Sequence, residues 1–162
     1  MVHLRAITEE SWEEWRALRL RALEESPEAF GSTLAGWQGS GDTEARWRER
    51  LASMPLNLLA ELDGHQDPVG MVSALPEDEA VELLSLYVAA EARGYGVGDQ
   101  LIEAVVAWVA DTAPGPVMLR VRAANQRAMS LYRRHGFTDD GEVTLEGSAV
   151  PVIPAERWMR RA

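Results

Sequence analysis

The sequence predicts an α/β chain of the α+β type, one domain over residues 1–162, built on a mixed, mostly antiparallel sheet with flanking helices. Two observations carry this. Apolar periodicity orders the elements as strand, two helices, three strands, helix, strand, helix, two strands, and runs of hairpin strands with one crossover helix make a mixed sheet rather than a doubly wound one. A length of 162 residues suits one compact unit with a sizeable core.

Val2 to Ile7 alternates weakly and reads as the first strand. From Thr8 to Glu25, Trp12, Trp15, Leu18, Leu20 and Leu23 recur at helical spacing, with Thr8 as N-cap, acids in the first turn and Pro27 as the stop. Residues 31 to 43 are rich in Gly, hold Trp37 and lack periodicity, so they read as a loop. Asp42 to Ala52 favours helix. Leu56 to Leu62 and Val69 to Leu75 are short apolar segments around the turn at residues 63 to 68, and Val81 to Val88 forms the third strand of this group. Gly98 to Asp111 carries the broad apolar stripe of a helix with a buried face, stopped by Pro114-Gly115-Pro116. Val117, Leu119 and Val121 mark a strand, residues 126 to 135 a helix closed by Gly136, and the tail two further strands, the last near Glu156 to Arg160.

Composition excludes several chemistries. Sixteen basic residues, all Arg, stand against 26 acidic ones for a net charge of −10, which argues against nucleic acid as the main partner. Without Lys there is no Schiff-base or Walker-type lysine chemistry, and without Cys there is no disulfide, thiol nucleophile or Cys-rich zinc site. His3, His65 and His135 are isolated, so no metal is expected. No apolar signal region follows Met1, and the longest apolar run, Ala104 to Ala110, falls far short of the ~20 residues that span a bilayer. The expectation is a cytoplasmic protein without a membrane partner.

The most informative stretch runs from Leu86, Tyr87 and Val88 through Arg93, Gly94, Tyr95, Gly96, Val97 and Gly98 into a helix. Alternate glycines at a helix N-terminus uncover N–H groups where the dipole favours an anion, with phosphate the natural ligand; a plain glycine-rich turn is the competing reading. Spacing eliminates other phosphate loops. A dinucleotide-binding GxGxxG starting at Gly94 meets Asp99, and one starting at Gly96 meets Leu101, where glycine is needed.

The R-x-x-G-x-G pattern of Arg93, Gly96 and Gly98 resembles the GCN5-related N-acetyltransferase (GNAT) family, the acetyl-CoA-dependent acyltransferases. A second segment, Asn125 to Phe137, is similar to the family's N-x-x-A-x-x-L-Y-x-x-x-G-F pattern. The resemblance extends from Val2 to Trp158. It implies that the strand ending at Val88 splays from the strand at 117 to 122, that the pantetheine of acetyl-CoA enters the gap, and that the pyrophosphate lies on the amides of Arg93 to Gly98. Two departures are Ala90, where the family often has Pro, and Asp99, a carboxylate beside the proposed phosphates. Residues 93 to 137 hold six Arg against three acids, net +3, leaving −13 for the rest of the chain, so the positive charge falls on the segment assigned to the polyanionic cofactor.

Acetyl transfer needs a neutral amine, a polarised thioester carbonyl and a proton for the departing thiolate. Glu82 is the candidate base, or else a solvated strand-end glutamate; its parity with Leu84, Leu86 and Val88 predicts one shared face. By resemblance, the Val88 N–H is the oxyanion donor and Tyr132 the acid, against a plain core tyrosine. Asn125 is assigned to pantetheine or to capping its own helix, roles that can coexist. Phe30 and Trp37 are acceptor-lining candidates, with loop packing as the alternative. The acceptor is expected to be a small-molecule or peptide amine, drawn as a cation to an acidic chain, and the resemblance makes a homodimer an expectation. The rival functions are a non-catalytic acyl-CoA sensor and a toxin acetylating aminoacyl-tRNA.

Overall fold

The structure, a computed structural model, describes residues 1–25, 33–112 and 115–162. Phe30 and Pro27 lie outside them. The seven strands among the described residues are β1 (Val2–Ala6), β2 (Leu56–Leu62), β3 (Gly70–Pro76), β4 (Val81–Val88), β5 (Val117–Arg122), β6 (Thr138–Glu142) and β7 (Glu156–Arg161). They form one sheet in the order β1-β2-β3-β4-β5-β7-β6. Only β4 and β5 run parallel, and they pair at just two positions, Val81 with Val117 and Glu82 with Met118. Beyond Glu82 the two strands part, so the predicted mixed sheet with splayed central strands is present.

Among the described residues four α-helices flank the sheet: α1 (Trp12–Glu25), α2 (Glu44–Ala52), α3 (Val97–Thr112) and α4 (Gln126–Arg134). A 3₁₀ turn, Glu9–Ser11, leads into α1, and the Thr8 hydroxyl accepts the Glu10 N–H as foreseen for a cap. The second helix begins at Glu44 rather than Asp42, because Thr43 caps it and Asp42 is held outside by Arg16 and Trp47. Arg50 of α2 reaches Ser73, whereas a Cβ at Gly70 would meet Val97 and Leu101 of α3. Successive strand positions alternate faces, so α1 and α2 cover one face of β2 to β4 and α3 the other. Trp15, Trp47, Leu59, Met71, Leu101, Ile102, Phe137 and Met159 fill the two layers with almost no exposure. Gly70 is required where α3 crosses, since any Cβ there would stand 2.8 Å from Val97 Cγ1.

One prediction about β4 is corrected. Along β3 the partners run Met71 to Tyr87, Ser73 to Leu84 and Leu75 to Glu82, so two steps on β3 match three on β4 between Leu84 and Tyr87. A β-bulge inserts the extra residue, and Ser85 within it takes φ +60°. Side-chain parity changes there. Glu82 and Leu84 share the face of Tyr87, toward α1 and α2, while Val88 lies on the other face with Val81 and Leu83. Glu82 and Val88 therefore do not point the same way.

Candidate active site

The loop after β4 builds an open cleft of about 570 Å³ lined by Leu86, Tyr87, Val88, Ala92, Arg93, Gly94, Gly96, Val97, Gly98, Asp99, Asn125, Arg127, Ala128, Leu131, Tyr132 and Arg134. Gly94 and Gly96 sit at φ +87° and +79°, in the left-handed region that an L side chain enters only with strain. That conformation carries the chain over the start of α3, whose first N–H groups have no acceptor within the helix. Gly98 is not at positive φ. It sits in contact distance of Val88 and Leu131, so it lets β4, α3 and α4 close on one another.

Electrostatics in the cleft favour an anion. Arg93, Arg127 and Arg134 line it against one acid, Asp99. That carboxylate does not confront the cleft unpaired: His135 Nε2 meets Asp99 Oδ1 at 2.7 Å, and Arg134 Nη2 donates to the same oxygen at 2.9 Å. The bond to His135 and, after it, that to Arg134 hold the Asp99 carboxyl below the usual aspartate range despite partial burial. The departure seen at Asp99 in the sequence is thus compensated by the end of α4.

The gap between β4 and β5 also has a defined polarity. The Val81 N–H donates to Pro116 O at 3.0 Å, on the β5 side, and the Ala89 N–H donates to Val69 O at 2.7 Å, on the β3 side. In a regular strand, residues eight apart send their N–H groups the same way. The bulge reverses the direction, and alternation back from Ala89 aims the Val88 N–H into the gap. Arg93 Nε donates to the Val88 carbonyl at 3.3 Å, fixing the strand end.

Tyr132 borders this gap from α4, nearly buried and packed edge-on against Phe137 with ring centroids 6.0 Å apart. Burial pushes its phenol up to about 12, so the hydroxyl keeps its proton at neutral pH. Asn125 accepts the Ala128 N–H on Oδ1 at 3.1 Å, which makes it the N-cap of α4 while it also lines the cleft. Tyr87 touches the cleft too, but its hydroxyl donates to Glu25 of α1.

Glu82 lies on the opposite face at the point where β4 and β5 part, 8% exposed. It is not a solvated strand end. Arg120 of β5 donates to Glu82 Oε1 from Nε at 3.0 Å, its Nη2 stands 3.0 Å from the same oxygen in an ion pair, and its guanidinium stands over the Trp158 ring, 5.5 Å from the centroid. Arg120 was not visible as a partner because its proximity depends on the two-residue β4–β5 pairing. Trp37 stands apart from the cleft: it packs on Trp47 at 4.4 Å and beneath the Arg46 guanidinium at 3.7 Å. Tyr95 is exposed and outside the lining. Among the described residues no group of His, Asp or Glu is arranged to hold a metal ion, and no helix is long and apolar enough to cross a membrane.

The model of the acetyltransferase (GNAT) family matches residues 4–137. The chain belongs to that family, whose general activity is acetyl-CoA-dependent N-acetylation. Its fold is similar to a GNAT acetyltransferase from Streptococcus pneumoniae, with TM-score 0.75, 19% identity and 99% of each chain covered. It is also similar to PaiA N-acetyltransferase from Thermoplasma acidophilum in complex with coenzyme A, with TM-score 0.73, 15% identity and coverage of 99% of this chain and 98% of that one. Arabidopsis thaliana Naa50, in complex with a bisubstrate analogue of coenzyme A, acetyl and peptide, gives TM-score 0.68 at 17% identity, covering 99% and 98%. No curated protein matches.

Proposed function

We propose that the protein transfers the acetyl group of acetyl-CoA directly to a primary amine of a small molecule or peptide, both substrates being held at once. The observation that carries this reading is the gap between β4 and β5, with a backbone donor on one wall, a buried phenol on another and a glycine and arginine cradle at its mouth. The cradle fits coenzyme A: Gly94 and Gly96 leave nothing within 4 Å of where a Cβ would stand, and three arginines outnumber one compensated acid. When bound, acetyl-CoA supplies an activated acyl thioester.

The chain's own groups do the rest. The amides of Arg93 to Gly98 and the α3 N-terminus receive phosphate. Leu86, Tyr87 and Val88 offer strand backbone to the pantetheine arm, and Asn125 meets it from the other side. The Val88 N–H donates to the thioester oxygen, where charge develops. Tyr132 donates its phenolic proton to the departing sulfur. Glu82, buried where β4 and β5 part, withdraws a proton from the amine directly or through water, using the oxygen that Arg120 leaves unused. The amine comes from the α1 and α2 side, so each substrate has its own face and no covalent enzyme intermediate is needed.

The test is thiol release from acetyl-CoA in the presence of an unbiased amine panel, with the acetylated product identified by mass. Turnover with at least one primary amine is expected. Tight coenzyme A binding without turnover across the panel would instead favour an acyl-CoA sensor. Glu82→Gln should change the pH–rate profile of the active pair; an unaltered profile removes the base role.

A further inference from the structure

A polar network under the β4 bulge is used by none of these steps. Arg50, in the last turn of α2, donates from Nη1 to Asn57 Oδ1 at 3.3 Å, and from Nη2 to Ser73 Oγ at 3.2 Å and Ser85 Oγ at 3.0 Å. Ser73 Oγ donates to Asn57 Oδ1 at 2.7 Å, and Asn57 Nδ2 donates to Leu51 O at 3.0 Å. One guanidinium thus ties the end of α2 to β2, β3 and β4. Ser73 and Asn57 are buried, and Trp15 lies 5.2 Å from the guanidinium. Every hydrogen-bond partner of Arg50 is neutral, so the arrangement is not an ion pair that happens to cross the sheet.

Its outermost partner is the informative one. Ser85 is the only non-glycine with positive φ among the described residues, and it occupies the bulge. A serine held at +60° needs a local restraint, because nothing in its own backbone preference favours that region. The restraint present is the bond from Arg50. Flattening the bulge would restore the regular alternation and turn the Val88 N–H back toward β3, away from the gap.

We propose that Arg50 is a positioning residue: through Ser85 it holds the β4 bulge in the form that aims the Val88 N–H into the gap between β4 and β5. This rests on the assignment of Val88 as the donor to the thioester oxygen. Arg50 does not line the cleft, so its loss acts on turnover more than on acetyl-CoA binding.

Glycine adopts the left-handed region unaided, which separates this role from plain docking of α2. Arg50→Met, Ser85→Gly and the double variant are compared with the parent for kcat, for the KM of acetyl-CoA and for the Val88 amide resonance in the coenzyme A complex. Arg50→Met is expected to lose about tenfold or more in kcat with KM changed by no more than about twofold, as a misaimed donor does. Adding Ser85→Gly should recover most of the lost turnover and return the Val88 resonance. Full kcat in Arg50→Met, or no recovery in the double variant, overturns the proposal. Should Arg50→Met not fold, Ser85→Ala and Ser85→Gly replace it: alanine, which loses the hydroxyl but keeps the strain, should be the slower, and equal rates overturn the idea. The amide readout does not depend on turnover. An inactive parent would therefore refute the transfer reading, while a Val88 resonance indifferent to Arg50 would refute this one.

Discussion

Tyr132 shows how one side chain's environment sets its chemistry. Its phenol is pushed up to about 12 by burial, so it stays protonated across the pH range in which an amine is acetylated, and it can give a proton without first having to gain one. Tyr132→Phe is expected to lower kcat by about a hundredfold while the dissociation constant of coenzyme A, read by calorimetry, stays within about threefold. An unchanged chemistry-limited rate would leave Tyr132 as packing for Phe137. The residue was legible in the sequence because its motif, from Asn125 to Phe137, is local to one helix. The facing of Glu82 was not. Leu83-Leu84-Ser85-Leu86-Tyr87-Val88 is nearly all apolar, so alternation has no contrast to report and a one-residue shift leaves no periodic trace. The single polar member, Ser85, is the residue that marks the shift.

Among the elements, strand positions were the more legible: β2, β4 and β5 begin and end where apolar runs meet turn residues. Helix starts moved more: α2 begins two residues late behind its Thr43 cap, and α1 begins at Trp12 because a 3₁₀ turn fills Glu9–Ser11 after Thr8. Contacts between elements distant in sequence were out of reach, and the pairing of α3 with α4 is the clearest case. Asp99 lies in the first turn of α3, where it complements the dipole, and the end of α4 supplies its two partners. Asp99→Asn removes a negative charge from the cleft wall and frees Arg134 and His135. Coenzyme A should then bind about threefold to tenfold more tightly at low salt, and the gain should fade as ionic strength rises. The helix itself should lose about 0.3–1 kcal/mol of dipole complementarity, read in chemical denaturation. Weaker coenzyme A binding in this variant would show that Asp99 serves the cleft by ordering it.

For the whole molecule, the −10 charge is carried unevenly, and acids outside the cleft stabilise the fold through arginine. Asp42 is one example: Arg16 and then Trp47 donate to it and lower its carboxyl to about 2, from an ordinary value near 3.8. A depressed carboxyl stabilises the folded chain fully above its unfolded value and loses that contribution as pH falls through the folded one. Asp42→Asn should therefore lower Tm by about a few degrees at pH 7, and the difference from the parent should close between about pH 4 and pH 2. A gap that persists at pH 2 would place the stabilisation in packing around Trp47.

The two-residue pairing of β4 with β5 has a consequence of another kind. The chain keeps two runs of unpaired backbone in the middle of its sheet, where most proteins would zip the strands shut and where exposed strand ordinarily invites a stray chain to add on. Arg120 and Arg122 stand on the β5 flank of that seam, and charged side chains on a strand discourage such additions. A molecule seated in the seam covers the same backbone that a stray strand would use, so coenzyme A is expected to slow aggregation of the protein as well as to serve transfer.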